Sequence, residues 1–454
     1  MPLHHVLDPE PIPDLVSYQR TGGGEALAAA RDAGPEAVLS VVEASGLRGR
    51  GGAGFPTGTK WRTVAGMGGS EPATVVVNAA EGEPGTLKDR TLLRRNPFRV
   101  LEGALIGALA VGADRVVVGM KRSSRDVAVR VERAIHEIEA AGLSREVELE
   151  WALGSERYLL GEETALLEAL DGRPPFPRVA PPYRAGAEEG APALVNNVES
   201  FANVPAIVRD GAEAFRSRGT AESPGTIVCT VSGRTERAGV GEFELGTPLR
   251  EVIETLGGSP LVPPVVAVLS GTVHPLLPAS ALDAPVSWEG LAEAGGGLGS
   301  AGFIVLDAGV DLVAVAQGVS RFLSVESCGQ CTPCKVDGES VTAILDRIRL
   351  SAPEADDLEE LPGLVGGLTE GARCYLAQQH QSVVESLLAR FPDAVAAHAE
   401  GRADPAGAYP IVPLADIVDD QPVLDLDQLA VEPDWGIGTD SGATPADRID
   451  THAR

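Results

Sequence analysis

The chain has 454 residues, enough for roughly three packed domains at about 150 residues each. Its apolar content of 44% and charged content of 22% are those of an ordinary globular protein and exclude general disorder, while 54 Gly and 34 Pro imply many loops and turns. A formal net charge of −28 repels phosphate backbones and argues against nucleic acid as a partner.

The opening string MPLHHVLDPEPIPDLV lacks the basic start and apolar core of a secretory signal, and its acidic residues argue against a transit peptide. A cytoplasmic location is the expectation. Apolar spacing over residues 36–46 predicts a helix, and glycine then dominates up to Gly58, predicting a loop. TVVVNA from Thr74, DRVVVGM from Asp114 and EVELEWAL from Glu146 read as strands, with helical patterns over 99–113 and 125–141 between them. This alternation predicts an α/β domain with a largely parallel sheet. The apolar stretch over 103–113 stops at Asp114, short of the roughly 20 residues a bilayer crossing needs. No direct membrane insertion is expected.

A further helix is predicted over 161–170, followed by the Pro-rich loop RPPFPRVAPPYR, and the first domain is expected to close near Arg218. From Gly225 short strands such as TIVCTVSG and VVAVLSG, separated by a helix at LREVIETLG, predict a small α+β domain. Helical patterns return over 310–398. Beyond about Gly401 the chain is rich in Asp and Pro and lacks the apolar density for a core, predicting a mobile or surface-wrapped tail. The expected domains are therefore 1–218, 219–300 and 301–402, followed by an acidic tail over 403–454.

Five Cys in so long a chain do not make a disulfide framework, and four of them stand in the last third at short spacings. Cys328, Cys331 and Cys334, in ESCGQCTPCK, form C-x2-C-x2-C, which lets three thiolates converge from one loop, with Cys374 available as a distant fourth. Four thiolates can hold a 4Fe-4S cube. Zinc is the rival, although structural zinc sites usually draw on two separated pairs rather than three plus one; structural Cys by coincidence is the third reading. Cys229, in TIVCTV, reads as a buried strand filler.

A cluster needs an electron source. The string GLRGRGGAGFPTGTKW contains G-x-G-x-x-G at Gly49, Gly51 and Gly54, but after a predicted helix, so it is not an ordinary dinucleotide fingerprint. Its glycines permit close backbone approach, and Arg50 and Lys60 stand nearby to hold phosphate or a flavin edge; a plain flexible loop is the competing reading. NAAEGEPGTLKDR follows a strand, so Glu81 and Glu83 are expected at a sheet's carboxyl end, where they would accept ribose hydroxyls and disfavour a 2′-phosphate. A solvated acidic turn is the alternative. Lys88, Arg90, Arg94 and Arg95 read as a charged helix face.

Taken in order, GLRGRGGAGFPTGTKW, EGEPGTLKDR, YLLGEETALLEAL, VNNVES and ESCGQCTPCK resemble the NADH-binding flavoprotein subunit of respiratory complex I and the related diaphorase subunits of NAD-linked hydrogenases and formate dehydrogenases. The resemblance implies a Rossmann-like flavin/NADH α/β domain, a β-grasp (ubiquitin-like) domain and a C-terminal helical bundle carrying the iron–sulfur cluster. It implies FMN contacts at Gly49, Arg50, Gly51, Lys60, Asn78, Glu81, Tyr158, Gly161, Glu162, Val195, Asn196, Asn197 and Ser200. It also implies NADH contacts at Phe55, Lys60, Glu83, Tyr158, Glu163 and Tyr183. The implied reaction is hydride transfer from NADH to FMN, then single-electron transfer to the 4Fe-4S cluster and on to a partner, with no side-chain acid or base. The implied partners are a 2Fe-2S thioredoxin-like subunit and a larger redox complex, peripheral to a membrane through that complex. Ala80 stands where the family has Asp, and Thr63 where it has an aromatic; these departures support an alternative, an electron-transfer subunit that keeps the cluster with weak or no NADH oxidation.

Overall fold

The computed structural model describes residues 3–67, 72–145, 147–179 and 192–432. Strands β1 (Ala73–Ala79), β2 (Ala113–Lys121), β3 (Glu148–Gly154) and β4 (Ala193–Asn197) form a sheet in the order β3-β2-β1-β4, with every pairing parallel. Parallel neighbours need crossovers, which the helices Pro97–Val111 and Arg125–Ala140 help to supply. Burial on both faces explains the unbroken valine run: Val75, Val76 and Val77 are all inaccessible to solvent. After β1 the chain winds outward to β3, then returns to the other side of β1 as β4, so a topological switch point lies between β1 and β4. In open α/β sheets that is where ligands bind.

Glycine lets two of the helices close on one another. A Cβ on Gly103 would stand 2.0 Å from the carbonyl oxygen of Phe201, so helices Pro97–Val111 and Val198–Asp210 meet backbone to backbone. The predicted loop is shorter than expected at its far end, because its last residues open the helix Thr57–Ala65. Trp61 from that helix is fully buried, which explains why the chain turns helical there despite weak local propensity.

The middle unit is a five-stranded mixed sheet in the order β6-β5-β9-β7-β8, built from β5 (Thr226–Gly233), β6 (Gly239–Glu244), β7 (Val265–Ser270), β8 (Leu277–Pro278) and β9 (Gly302–Asp307). Its first and last strands pair in parallel at the centre and the others are antiparallel, the β-grasp arrangement. Strand β9 lies past residue 300, so the sheet draws its central strand from beyond the expected boundary. The helices Leu312–Glu326, Gly338–Arg349, Asp357–Gly367, Leu376–Arg390 and Pro392–Ala399 follow and share one core that includes Val319, Leu323, Leu345, Val384 and Leu387.

The described part of the tail, residues 403–432, follows the surface-wrapped alternative. Ile411, Val412 and Leu414 are buried, and β10 (Leu414–Val418) pairs with β11 (Gln421–Leu424) in an antiparallel hairpin. Few apolar residues suffice there because the surface they cover is supplied by the preceding domains. Residues 433–454 lie outside the described part of the chain.

Candidate functional site

A cleft of about 700 Å³ opens at the carboxyl ends of β1 and β4. Its wall includes every residue named above as a flavin or NADH contact except Arg50 and Tyr183. Tyr183 lies outside the described residues.

The glycine loop forms one side. Gly49 N–H donates to the Phe55 carbonyl at 2.8 Å, closing the loop on itself, and Arg50 N–H donates to the Ser200 hydroxyl at 2.9 Å, tying it to the helix after β4. Gly54 sits at φ +64°, and a Cβ there would stand 2.3 Å from the indole nitrogen of Trp288, so glycine is required on both counts. The Arg48 guanidinium stacks over Trp288 at 4.5 Å from the ring centroid. Arg50 departs from its expected role as a cleft contact. Its guanidinium is fully buried, donating to the carbonyls of Arg48 at 3.0 Å and Pro224 at 3.1 Å. Burial lowers its pKa to about 10, with Glu199 opposing the shift. It braces the loop, because those two backbone carbonyls accept the N–H groups of its planar fork, and it lies 5.2 Å from the centroid of Trp288, a residue of the cleft wall.

Lys60 reaches the cleft wall, pairing with Glu163 and donating to the Val195 carbonyl at 3.1 Å. Asn78 at the end of β1 donates to the Gly161 carbonyl at 2.8 Å and so fixes the segment Tyr158–Gly161 across the cleft. Glu81 accepts the amides of Asp89 at 3.1 Å and Arg90 at 3.3 Å, satisfying orphan donors in the first turn of helix Lys88–Arg95. Glu83 is buried and accepts the Thr272 amide at 3.1 Å. Burial raises its pKa to about 7, while the Ser300 hydroxyl and the Thr272 amide pull it back. Both carboxylates are thus part of a built wall rather than a solvated turn.

The expected charged helix face is corrected at Lys88, which is 1% exposed and pairs with Asp89 at 2.7 Å and Glu199 at 3.1 Å. Its ammonium also donates to Asn197 at 3.0 Å, so the cation supports the cleft floor from inside. Arg90 and Arg94 are likewise engaged, with Glu81 at 3.1 Å and Asp126 at 2.8 Å.

Sequence reasoning missed the wall supplied by the middle domain and the last helices: Trp288, His274, Ser300, Tyr375 and Gln379. A signal was present in the glycine run GGGLGS ahead of β9, where a Cβ on Gly297 would stand 2.3 Å from the His274 ring. Burial depresses the His274 pKa to about 4, leaving a neutral imidazole facing the cleft. Gln379 and the Tyr158 hydroxyl hydrogen-bond each other, at 3.1 Å from the amide nitrogen.

Cys328, Cys331, Cys334 and Cys374 line one small cavity with Leu159, Pro177, Leu376 and Ala377. The first three come from the turn after helix Leu312–Glu326, and Cys374 from just before helix Leu376–Arg390. The donor set is four thiols, which suits a cube with one thiolate per iron; Ser327 and Arg373 also line the pocket, and Gln330 donates to the Cys328 sulfur at 3.2 Å. Among the described residues no three His, Cys, Asp or Glu side chains close on a single metal ion. Burial raises the thiols of Cys328, Cys334 (to about 11) and Cys374. Cys229 is buried in β5, outside this cavity. Leu159, Cys374 and Leu376 line both the cysteine cavity and the cleft, so the two share a wall.

Comparison with known proteins agrees with this layout. Residues 42–206 match the Nuo51 FMN-binding domain, and residues 314–398 match the NADH-ubiquinone oxidoreductase-F iron-sulfur binding region. The chain is 37% identical over 411 residues to the NADH-quinone oxidoreductase F subunit 2 of Rhizobium meliloti (strain 1021), covering 87% of this chain and 97% of the relative. It is 37% identical over 413 residues to the NADH-quinone oxidoreductase F subunit of Mycobacterium tuberculosis (strain ATCC 25618 / H37Rv), covering 87% and 93%. Among solved structures, a chain of an NAD+-reducing NiFe-hydrogenase in the H2-reduced state is similar with a TM-score of 0.77 and 35% identity, over 88% of this chain and 68% of that one. A parallel sheet with a glycine-lined cleft at its switch point, backed by four cysteines and matched over most of its length, places this chain in the family of NADH-quinone oxidoreductase F subunits.

Proposed function

We propose that the chain oxidises NADH at FMN in the long cleft and passes the electrons to a 4Fe-4S cluster on Cys328, Cys331, Cys334 and Cys374. The observation that carries this reading is the shared wall of Leu159, Cys374 and Leu376, which brings the nucleotide cleft and the cysteine cavity into contact. FMN held in the cleft would supply hydride acceptance and single-electron release, and a cluster held by the four cysteines would supply one-electron acceptance.

The protein's share is orientation. Gly49 and Gly51 line the cleft without side chains, so a flavin can lie against backbone there, and Gly51 is packed so closely that a Cβ would press to 3.2 Å from Asn197. Lys60, held by Glu163 and the Val195 carbonyl, offers a cation in the wall, and Asn78, Asn196 and Asn197 offer amides at the floor. Phe55, 51% exposed at the cleft mouth, provides an apolar face for a planar ring to stack on. Glu83, Glu162 and Glu163 line the cleft with carboxyl oxygens that can accept ribose hydroxyls and disfavour a 2′-phosphate, which supports NADH over NADPH. No side-chain proton transfer is needed.

The electrons then leave for a larger redox complex, in which a 2Fe-2S thioredoxin-like subunit is the proposed next carrier. Among the described residues no helix is long and apolar enough to cross a membrane; the proposed setting is cytoplasmic, peripheral to a membrane through the complex. Purified without oxygen, the chain should bind FMN and show bleaching of its visible spectrum on addition of NADH. Retained FMN with no bleaching would overturn NADH oxidation and favour an electron-transfer subunit that keeps only the cluster.

A further inference from the structure

Residues 403–432 lie beyond both stretches matched by the family models, yet they run across all three units of the fold. The segment leaves the helical bundle where Ala406 exchanges hydrogen bonds with Arg349, at 2.8 Å through the Ala406 amide and 2.6 Å through its carbonyl. It then crosses the parallel-sheet domain. There Arg90 donates to the Leu414 carbonyl at 2.6 Å and the Ala415 carbonyl at 2.9 Å, and Arg94 pairs with Asp416 at 2.9 Å. The turn of the β10–β11 hairpin reaches the middle domain, where the Ala238 amide donates to the Asp420 carbonyl at 2.7 Å. Finally it returns to the bundle, where Arg321 donates to the Leu429 carbonyl at 2.8 Å and Gln428 donates to Glu326.

Two of these anchors stand one hydrogen bond from the cleft. Arg90 holds Glu81, a wall residue, at 3.1 Å. Glu326 accepts with its other oxygen the amide of Tyr158, a wall residue on the opposite side, at 2.8 Å. Glu326 also begins the loop that carries the cysteines, being the last residue of helix Leu312–Glu326. Burial of Glu326 and Gln428 means that neither readily finds a replacement partner in water.

We propose that residues 403–432 form an internal brace that sets the cleft from behind, with Arg90 and Gln428 as positioning residues acting through Glu81 and through Glu326 to Tyr158. The brace couples the wall that faces the flavin to the loop that faces the cluster, and so holds the spacing across which electrons pass. The consequence for FMN rests on the function proposed above; the consequence for backbone order does not.

The test uses the full chain, loaded with iron and sulfide. In Gln428→Ala the Tyr158 amide is expected to exchange with deuterium about tenfold faster, the effect of losing one hydrogen bond to a charged group, with iron content unchanged. Asp416→Arg, which sets a second cation against Arg94, is expected to speed exchange over residues 87–91. Titration of flavin-free protein by FMN fluorescence should show about tenfold weaker binding for Gln428→Ala. Unchanged exchange at Tyr158 and at 87–91 in these variants would overturn the brace. If the unmodified chain binds no FMN while the exchange results hold, the proposed function fails and the brace stands. If exchange rises but FMN binding stays within about twofold, the segment packs against the domains without positioning the cleft, and the positioning role is refuted.

Discussion

Replacing Lys88 by Met removes a cation from a buried cluster beneath the cleft. The ammonium stands 2.7 Å from Asp89 and 3.1 Å from Glu199, and the three side chains are 1%, 7% and 0% exposed. Burial works to lower the Lys88 pKa, but Asp89 and Glu199 outweigh it and leave it raised, so the lysine stays charged. Methionine keeps the volume of the stem and strands Asp89 and Glu199 without their shared counterion, although the buried Arg50 guanidinium remains 4.0 Å from Glu199. Breaking a buried pair from one side costs about 3–5 kcal/mol, against less than about 1 kcal/mol for an exposed pair. Glu199 also accepts the Val228 amide of β5 at 2.8 Å, and Asn197 donates to Asp89 at 2.6 Å, so the loss reaches the contact between the two sheets and the cleft floor together. At roughly 2–4 °C per kcal/mol for a unit of this size, the melting transition should fall by about 6–20 °C. Calorimetry of the full chain reads this directly. Adding Glu199→Gln should recover part of the loss by discharging one stranded carboxylate. A fall of less than about 3 °C would match an exposed pair and refute the account.

Further outcomes follow from the same geometry. Glu83 is raised from 4.5 to about 7 by burial, so the folded chain holds a proton that the unfolded chain releases between those values. Its contribution to stability is present below the lower value and is lost as pH rises through the upper one, by roughly 3 kcal/mol at most. Glu83→Gln should remove that slope from melting curves taken across the window, and an unchanged slope would sink the assignment. Gly54→Ala combines φ +64° with a 2.3 Å approach to Trp288, so it should displace the loop and weaken FMN binding by about tenfold or more in a fluorescence titration. Cys374→Ala should abolish stoichiometric iron and acid-labile sulfide while Cys229→Ala leaves both intact; retained cluster in Cys374→Ala would show that the fourth ligand lies elsewhere.

The residues read correctly from the sequence are those whose chemistry or spacing is local. Valine runs at β1 and β2 read as strands of a parallel sheet, and the spacing in ESCGQCTPCK places three thiols close together. The helix Thr57–Ala65 was hidden because glycine and threonine open it, and its stability comes from Trp61 buried in the core and bonded to Asn196 at 2.9 Å. Lys88 read as solvated because nothing in KDRTLLRR reveals Glu199, more than a hundred residues away, which accounts for part of its burial. Arg50 read as a cleft contact because its neighbours Gly49 and Gly51 are, whereas its guanidinium is claimed by the Pro224 carbonyl.

By itself the sequence determined the chemical inventory: four thiols at ligand spacing, a glycine string permitting close approach, acidic residues after a strand, and an alternation that dictates a parallel sheet. These depend on residue type and short-range order, which burial does not alter. Only the tertiary structure decided that β1 and β4 flank a switch point, that Trp288 and His274 come from the middle domain to close the cleft, and that Leu159, Cys374 and Leu376 stand between cleft and cysteines. It also decided that residues 403–432 of the acidic tail pack on the domains, since Ile411, Val412 and Leu414 are buried by surfaces far away in the chain. Burial and hydrogen-bond satisfaction are properties of such distant pairs, so they become visible only when the fold has brought the pairs together.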